Sequence, residues 1–161
     1  MEINFIAVIA AALSTLPIGF IWFNPKVFGT IWMRESGMTE EKAKTANMFK
    51  VFGFVILFSF MAAFILQFLV IHQFGASGMV GGPAAESIKP SYEAFMSDYG
   101  HAFRTFKHGM LHGFMVGLLL ALPIIGTNAM FEMKSWKYIF VNAGYWIICF
   151  MVMGGILCAW E

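Results

Sequence analysis

The histidines are the residues whose type and spacing could do chemistry. His108 and His112 stand four apart, so on a helix their rings share one face. A pair of neutral imidazoles at that spacing suits a compact transition-metal ion such as zinc, which takes nitrogen ligands at about 2.0–2.1 Å. It does not suit a haem with both axial ligands from one helix, because those ligands must lie on opposite faces of the ring. His72 and His101 complete the set of four histidines, and either can add a third nitrogen. The plain alternative is that all four hydrogen-bond to headgroups, water or loop carbonyls. The sequence by itself calls for no cofactor; a metal ion is what the pattern would accept.

The elements that must position these rings lie in lipid. Residues are 60% hydrophobic and 12% charged, against about 45–50% and about 25% in soluble domains. That leaves too little polar surface to cover the chain in water. The net charge of +1 excludes a nucleic-acid partner, which needs concentrated basic surface. Cys149 and Cys158 are nine apart in one apolar run, too far along a helix to bridge each other, and read as buried thiols. A signal peptide would open on a basic region, whereas here Glu2 precedes an apolar run of span length. The first run is therefore read as a retained span.

Four stretches reach the roughly 20 apolar residues a span requires: Ile3–Phe23, Val51–Gln73, Phe106–Met130 and Trp136–Trp160. They lack the alternation of barrel strands, so helices are expected. The fold class is an all-α membrane protein, with residues 1–161 as a single four-helix domain and an outer loop over 74–105. Basic residues orient it. Lys26, Arg34, Lys42, Lys44 and Lys50 fall in the first loop, and Lys134 and Lys137 in the third connection. Only Lys89, Arg104 and Lys107 fall in the second loop. Seven against three places the first and third loops in the cytoplasm and both termini outside, which puts all four histidines, Glu2 and Glu161 on the outer side. Trp22, Trp32, Trp136 and Tyr138 mark the inner boundary and Trp160 the outer one. Thr39 can cap a helix, with Glu40 and Glu41 in its first turn, that is expected to run straight into the second span. The second loop opens loosely with "GASGMVGGPA" and continues as "SYEAFMSDYGHAF", an interfacial helix leading into the third span.

Gly109, Gly113, Gly117 and Ala121 form a row of small residues along the third helix, and Ala7, Ala11, Thr15 and Gly19 form one along the first. Such rows let backbones approach closely, which is how helices associate in lipid. The two proline-bearing helices are expected to meet along them. Superimposing Pro17 on Pro123 sets the rows in register. This reads either as two parallel two-helix repeats or as chance recurrence of "LPI". Each proline also frees a carbonyl one turn earlier, on Leu13 and Leu119, and should kink its helix. Ser14, Thr15 and Thr127 are nearby hydroxyls. Gln67, Asn128 and Asn142 are the other polar groups within the spans and read as packing glue.

Several stretches carry a family resemblance: "GFIWFNPKVFGTIWM", "FKHGMLHG", "NAMFEMKSWKYIFVNAGYWI" and "MGGILCAW". Together they resemble the small bacterial membrane family catalogued as domain of unknown function 1761, over nearly the whole chain. The most distinctive piece is Trp22, Pro25, Phe28, Gly29 and Trp32. Phe23 follows Trp22 where the family more often has Tyr, so no hydroxyl role carries over there. The resemblance implies similar size and four helices, and it brings no established activity.

These features favour a structural or accessory protein of a bacterial inner membrane, acting through packing with its own copies or with a larger membrane complex. A small transporter or channel for a neutral solute is one alternative, since repeats and broken helices suit transport while buried charge is lacking. A metal, haem or lipid binder at the outer histidines is another. An enzyme is not expected: no acid–base pair or activated nucleophile is recognisable.

Overall fold

In hydrocarbon a peptide group finds no water, so each apolar run satisfies its amides internally and becomes a helix. The computed structural model describes residues 2–82 and 88–161. Within these, four helical rods are long and apolar enough to cross a membrane: Phe5–Trp22, Met48–Val70, Phe106–Phe131 and Trp136–Ala159. The first rod is α1 (Phe5–Leu13) and α2 (Thr15–Trp22). A π-helical turn (Pro25–Gly29), α3 (Thr30–Ser36) and α4 (Glu40–Lys44) lead to the second rod, α5 (Met48–Val70). After it come α6 (His72–Met79) and α7 (Pro90–Tyr99). The third rod is α8 (Phe106–Val116), a π-helical turn (Gly117–Ala121) and α9 (Leu122–Phe131), and the fourth is α10 (Trp136–Ala159).

Short polar side chains set where these helices start. Asn4, Thr39, Asn47, Thr105 and Ser135 each accept from the backbone N–H three residues on, as N-caps do. Thr39 caps as expected, with Glu40 and Glu41 in the first turn. That helix does not run on into the membrane, however. It ends at Lys44, and Asn47 caps a new one. The second span also stops sooner than the hydropathy suggests. Ile71 is extended (φ −109°, ψ 101°), so His72 opens a helix rather than ending one. The expected loose stretch is helical through Met79; its Pro83–Ala84 end lies outside the described residues. The expected interfacial helix appears as α7.

Both prolines mark breaks in their rods. Before Pro17 the helix changes at Ser14, whose N–H is shared between the Ala10 and Ala11 carbonyls at 3.1 and 3.2 Å. The Ser14 and Thr15 hydroxyls donate to the Ala11 and Ala12 carbonyls at 2.6 and 2.8 Å. Both hydroxyls thus go to the carbonyls before Leu13, and neither donates to the Leu13 carbonyl that Pro17 frees. Before Pro123 the chain takes the π-helical turn, in which the Leu122 N–H reaches the Gly117 carbonyl five residues back.

The small-residue rows are buried, but their partners differ from the expectation. The two proline-bearing rods do not meet along them; each packs on the rod that follows it. Gly109, Gly113 and Gly117 lie against α10. A Cβ on Gly109 would strike the Gly154 carbonyl, one on Gly113 the Phe150 carbonyl, and one on Gly117 would lie 2.6 Å from the Ile147 Cα. Ala121 is half-buried at the edge of this seam. On the first rod Ala7, Ala11 and Thr15 are buried in the core shared with Ala63, Leu66 and Val70 of α5, and Thr15 meets Ser59 at 3.1 Å. Gly19, at the end of that row, faces the Tyr145 ring of α10 instead. The fourth helix is the hub of the bundle, touching all three other rods and α3. Its Met153, Leu157 and Cys158 complete the core, and Cys149 and Cys158 are free, buried thiols.

The motif from Trp22 to Trp32 builds the corner at one end of the bundle. Pro25 opens the π-helical turn, where its missing N–H costs nothing. Any side chain at Gly29 would run into the Phe23 carbonyl. Trp22 packs on Phe28 at 4.5 Å and donates its indole N–H to the Val141 carbonyl at 3.0 Å. Phe23 packs on both Trp32 and Tyr145. At the same end Ser135 donates to Glu35 at 2.6 Å. That hydrogen bond, with Arg34 adding to it, holds the Glu35 carboxyl below its ordinary range.

Candidate metal centre

The turn at Ile71 and the cap at Thr105 together assemble the histidines. The extended residue redirects the chain, so that His72 leaves the second span facing the start of the third. Thr105 fixes the first turn of α8 by accepting from the His108 N–H at 3.2 Å, which sets His108 one turn before His112. The Nε2 atoms of His72 and His108 are 2.9 Å apart. One ligand nitrogen from each of His72, His108 and His112 lies within 4.8 Å of the others. Ring centroids are separated by 5.0, 4.9 and 4.5 Å. A tetrahedral ion with bonds of about 2.0–2.1 Å separates its ligand nitrogens by about 3.3 Å. The 2.9 Å edge is already close to that value, and the third nitrogen lies within 4.8 Å of both.

Phe103 packs against two of the three rings. Its ring stacks on His108 at 5.0 Å and meets His72 edge-on at 6.1 Å. Its backbone is left-handed (φ 63°), uncommon for a bulky residue. The conformation is braced from below, where the Cys158 thiol donates to the Phe103 carbonyl at 3.3 Å. Phe103 thus lays an apolar ring against His72 and His108, and His72 stays exposed.

His101 does not join the cluster. Its Nδ1 contacts Glu161 at 2.9 Å instead. The sequence left His72 and His101 as equal candidates for the third nitrogen, and the fold selects His72. Glu161 is thereby tied to His101 rather than offered to an ion. Arg104 reads in the sequence only as a topology charge, but it has a structural task. Its side chain is 8% exposed, and it donates to the Cys158 and Trp160 carbonyls at 2.8 and 2.9 Å. It thereby serves the unpaired carbonyls where α10 ends.

Beside His72 lies a cavity of about 320 Å³ lined by His72, Gln73, Phe95, Tyr99, Ala102 and Phe103. Gln73 is 4% exposed, and its Nε2 donates to the Tyr99 and Ala102 carbonyls at 2.9 and 2.8 Å. Those two bonds fix which end of the amide is nitrogen. Its Oε1 is buried without a partner among the described residues, which costs about 1–3 kcal/mol. Sequence reasoning passed over Gln73, and its position next to His72 is the only signal that could have drawn attention to it.

These features define a helical protein with four helices suited to cross a membrane and a histidine cluster at one end of the bundle. The chain belongs to the family described as "Protein of unknown function (DUF1761)", whose pattern matches residues 6–158. No curated protein and no solved structure matches it.

Proposed function

We propose that this membrane protein binds a transition-metal ion through His72, His108 and His112. The observation that carries the reading is the convergence of three imidazole nitrogens within 4.8 Å, two from the third span and one from the helix that opens just after the second. Three neutral nitrogens favour zinc or copper over calcium or magnesium, which take oxygen. Three protein ligands leave a fourth position open, so the site can exchange its ion or hold an outside ligand. The excess of basic residues in the first and third loops orients the site toward the outer face of a plasma membrane, with both termini on that side.

We read the protein as a binder rather than an enzyme. Among the described residues no carboxylate joins the three histidines to serve as a general base. The small-residue rows, one ground among several for an accessory role, are taken up by the chain's own helices.

Metal titration of chelator-treated protein in detergent tests the proposal. One equivalent of Zn²⁺ per chain is expected. Loss of an outer-shell partner costs about 10–100-fold in affinity, so replacing His72, His108 or His112 by Ala should cost more. His101→Ala should bind as the wild type does. Absence of stoichiometric binding would overturn the proposal, and so would a His101 variant as weak as the other three.

A further inference from the structure

We infer that the cavity beside His72 is a binding site for a small, uncharged, largely apolar molecule that carries one hydrogen-bond donor. The volume of about 320 Å³ sits at the small end of ligand sites, about 300–1,000 Å³. Phe95, Tyr99, Ala102 and Phe103 give apolar and aromatic walls, which suit a flat hydrocarbon body. Among the described residues no Asp, Glu, Lys or Arg lines it, so a charged ligand would lose its hydration without a counter-charge.

The polar requirement comes from Gln73. Its amide nitrogen is committed to two backbone carbonyls, so it cannot turn to present a donor. What remains is Oε1, a buried acceptor with no partner among the described residues. A hydroxyl or N–H on the ligand supplies what that oxygen lacks. Because Oε1 has almost no accessible surface, a donor reaches it only as wall side chains move aside. Phe95 and Tyr99, 43% and 54% exposed, have the room to do so. The inference stands apart from the metal reading, because the cavity and its acceptor exist whether or not the three histidines hold an ion.

The experiment compares 2-naphthol with naphthalene, two probes of similar shape that differ in the donor. Binding to chelator-treated protein in nanodiscs is measured against the partition of each probe into empty nanodiscs. The wild type should bind naphthol saturably, and about fivefold tighter than naphthalene, the worth of one ordinary hydrogen bond. Gln73→Met should abolish that preference while leaving naphthalene binding in place. If this variant is poorly folded, Ala102→Leu provides a second test, since its larger side chain takes up cavity space and leaves the Ala102 carbonyl in place for the Gln73 amide; it should abolish binding of both probes. Equal affinity of the wild type for the two probes would overturn the inference. So would binding that never exceeds partition, or binding that survives Ala102→Leu. Because metal is absent throughout, a failure here leaves the metal proposal intact, and a failed metal titration leaves this result standing.

Discussion

Gly113→Ala is the sharpest perturbation of the packing. A Cβ at Gly113 would lie 2.5 Å from the Phe150 carbonyl carbon and 2.9 Å from the Met151 Cα. Carbon atoms rest at about 3.5–4.0 Å, so the nearer of these two carbons falls about 1 Å short, and the Phe150 carbonyl oxygen stands nearer still. Both atoms are backbone, and neither can rotate away. The third rod must therefore back off from α10 by that amount where the two run closest. Overpacking of this kind costs up to about 3 kcal/mol, and Ala recovers about 1 kcal/mol of helix propensity. The net expectation is about 2 kcal/mol of destabilisation. Gly53→Ala is the control: a Cβ there meets nothing within 4 Å, so it should be neutral or stabilising by up to about 1 kcal/mol. Equilibrium unfolding in mixed micelles containing increasing dodecyl sulfate reads both. A Gly113→Ala protein at least as stable as the wild type would refute the claim that these backbones touch.

Other parts of the structure give independent checks. Trp22→Phe removes the indole donor to the Val141 carbonyl and should cost about 1 kcal/mol in the same unfolding assay; no loss would mean that this bond does not hold the corner. The Glu35 carboxyl is held low by the Ser135 hydroxyl, with Arg34 adding to it. Stability from a depressed carboxyl is fully present above its ordinary value of 4.5 and fades as pH falls through the lowered one. Wild type and Glu35→Gln should therefore show parallel stability from pH 7 down to pH 5 and converge in stronger acid; unfolding curves that stay parallel throughout would contradict this assignment. Phe103→Ala should expose the histidine cluster and speed release of bound Zn²⁺ to a chelator, and an unchanged release rate would mean that the ring does not cover the site.

Much of the fold was legible because the solvent is severe. A peptide unit in hydrocarbon has few options, so apolar length alone locates the four spans, and their ends are recovered to within a few residues. The small-residue rows announced that some helix must come close. They could not name it, because a glycine shows only that a neighbour is near. The complementary glycines were present at Gly154 and Gly155 in the fourth helix, where a Cβ would strike the Gly109 carbonyl and the Phe106 ring respectively. Nothing in the one-dimensional pattern joined the two sets. The histidine pair was visible from its spacing, but choosing His72 as the third member depends on the extended residue at Ile71, which breaks an otherwise unbroken apolar run. Gln73 drew no attention because only the fold isolates its oxygen.

The central claim is that two imidazoles of the third span and one from the start of α6 hold one ion. X-ray absorption at the zinc edge, on protein loaded with one equivalent, tests it most directly. The account predicts nitrogen scatterers at about 2.0–2.1 Å with the outer-shell signature of three imidazoles, and no sulfur near about 2.3 Å. A sulfur shell, which would point to Cys158, or fewer than three imidazoles would contradict it.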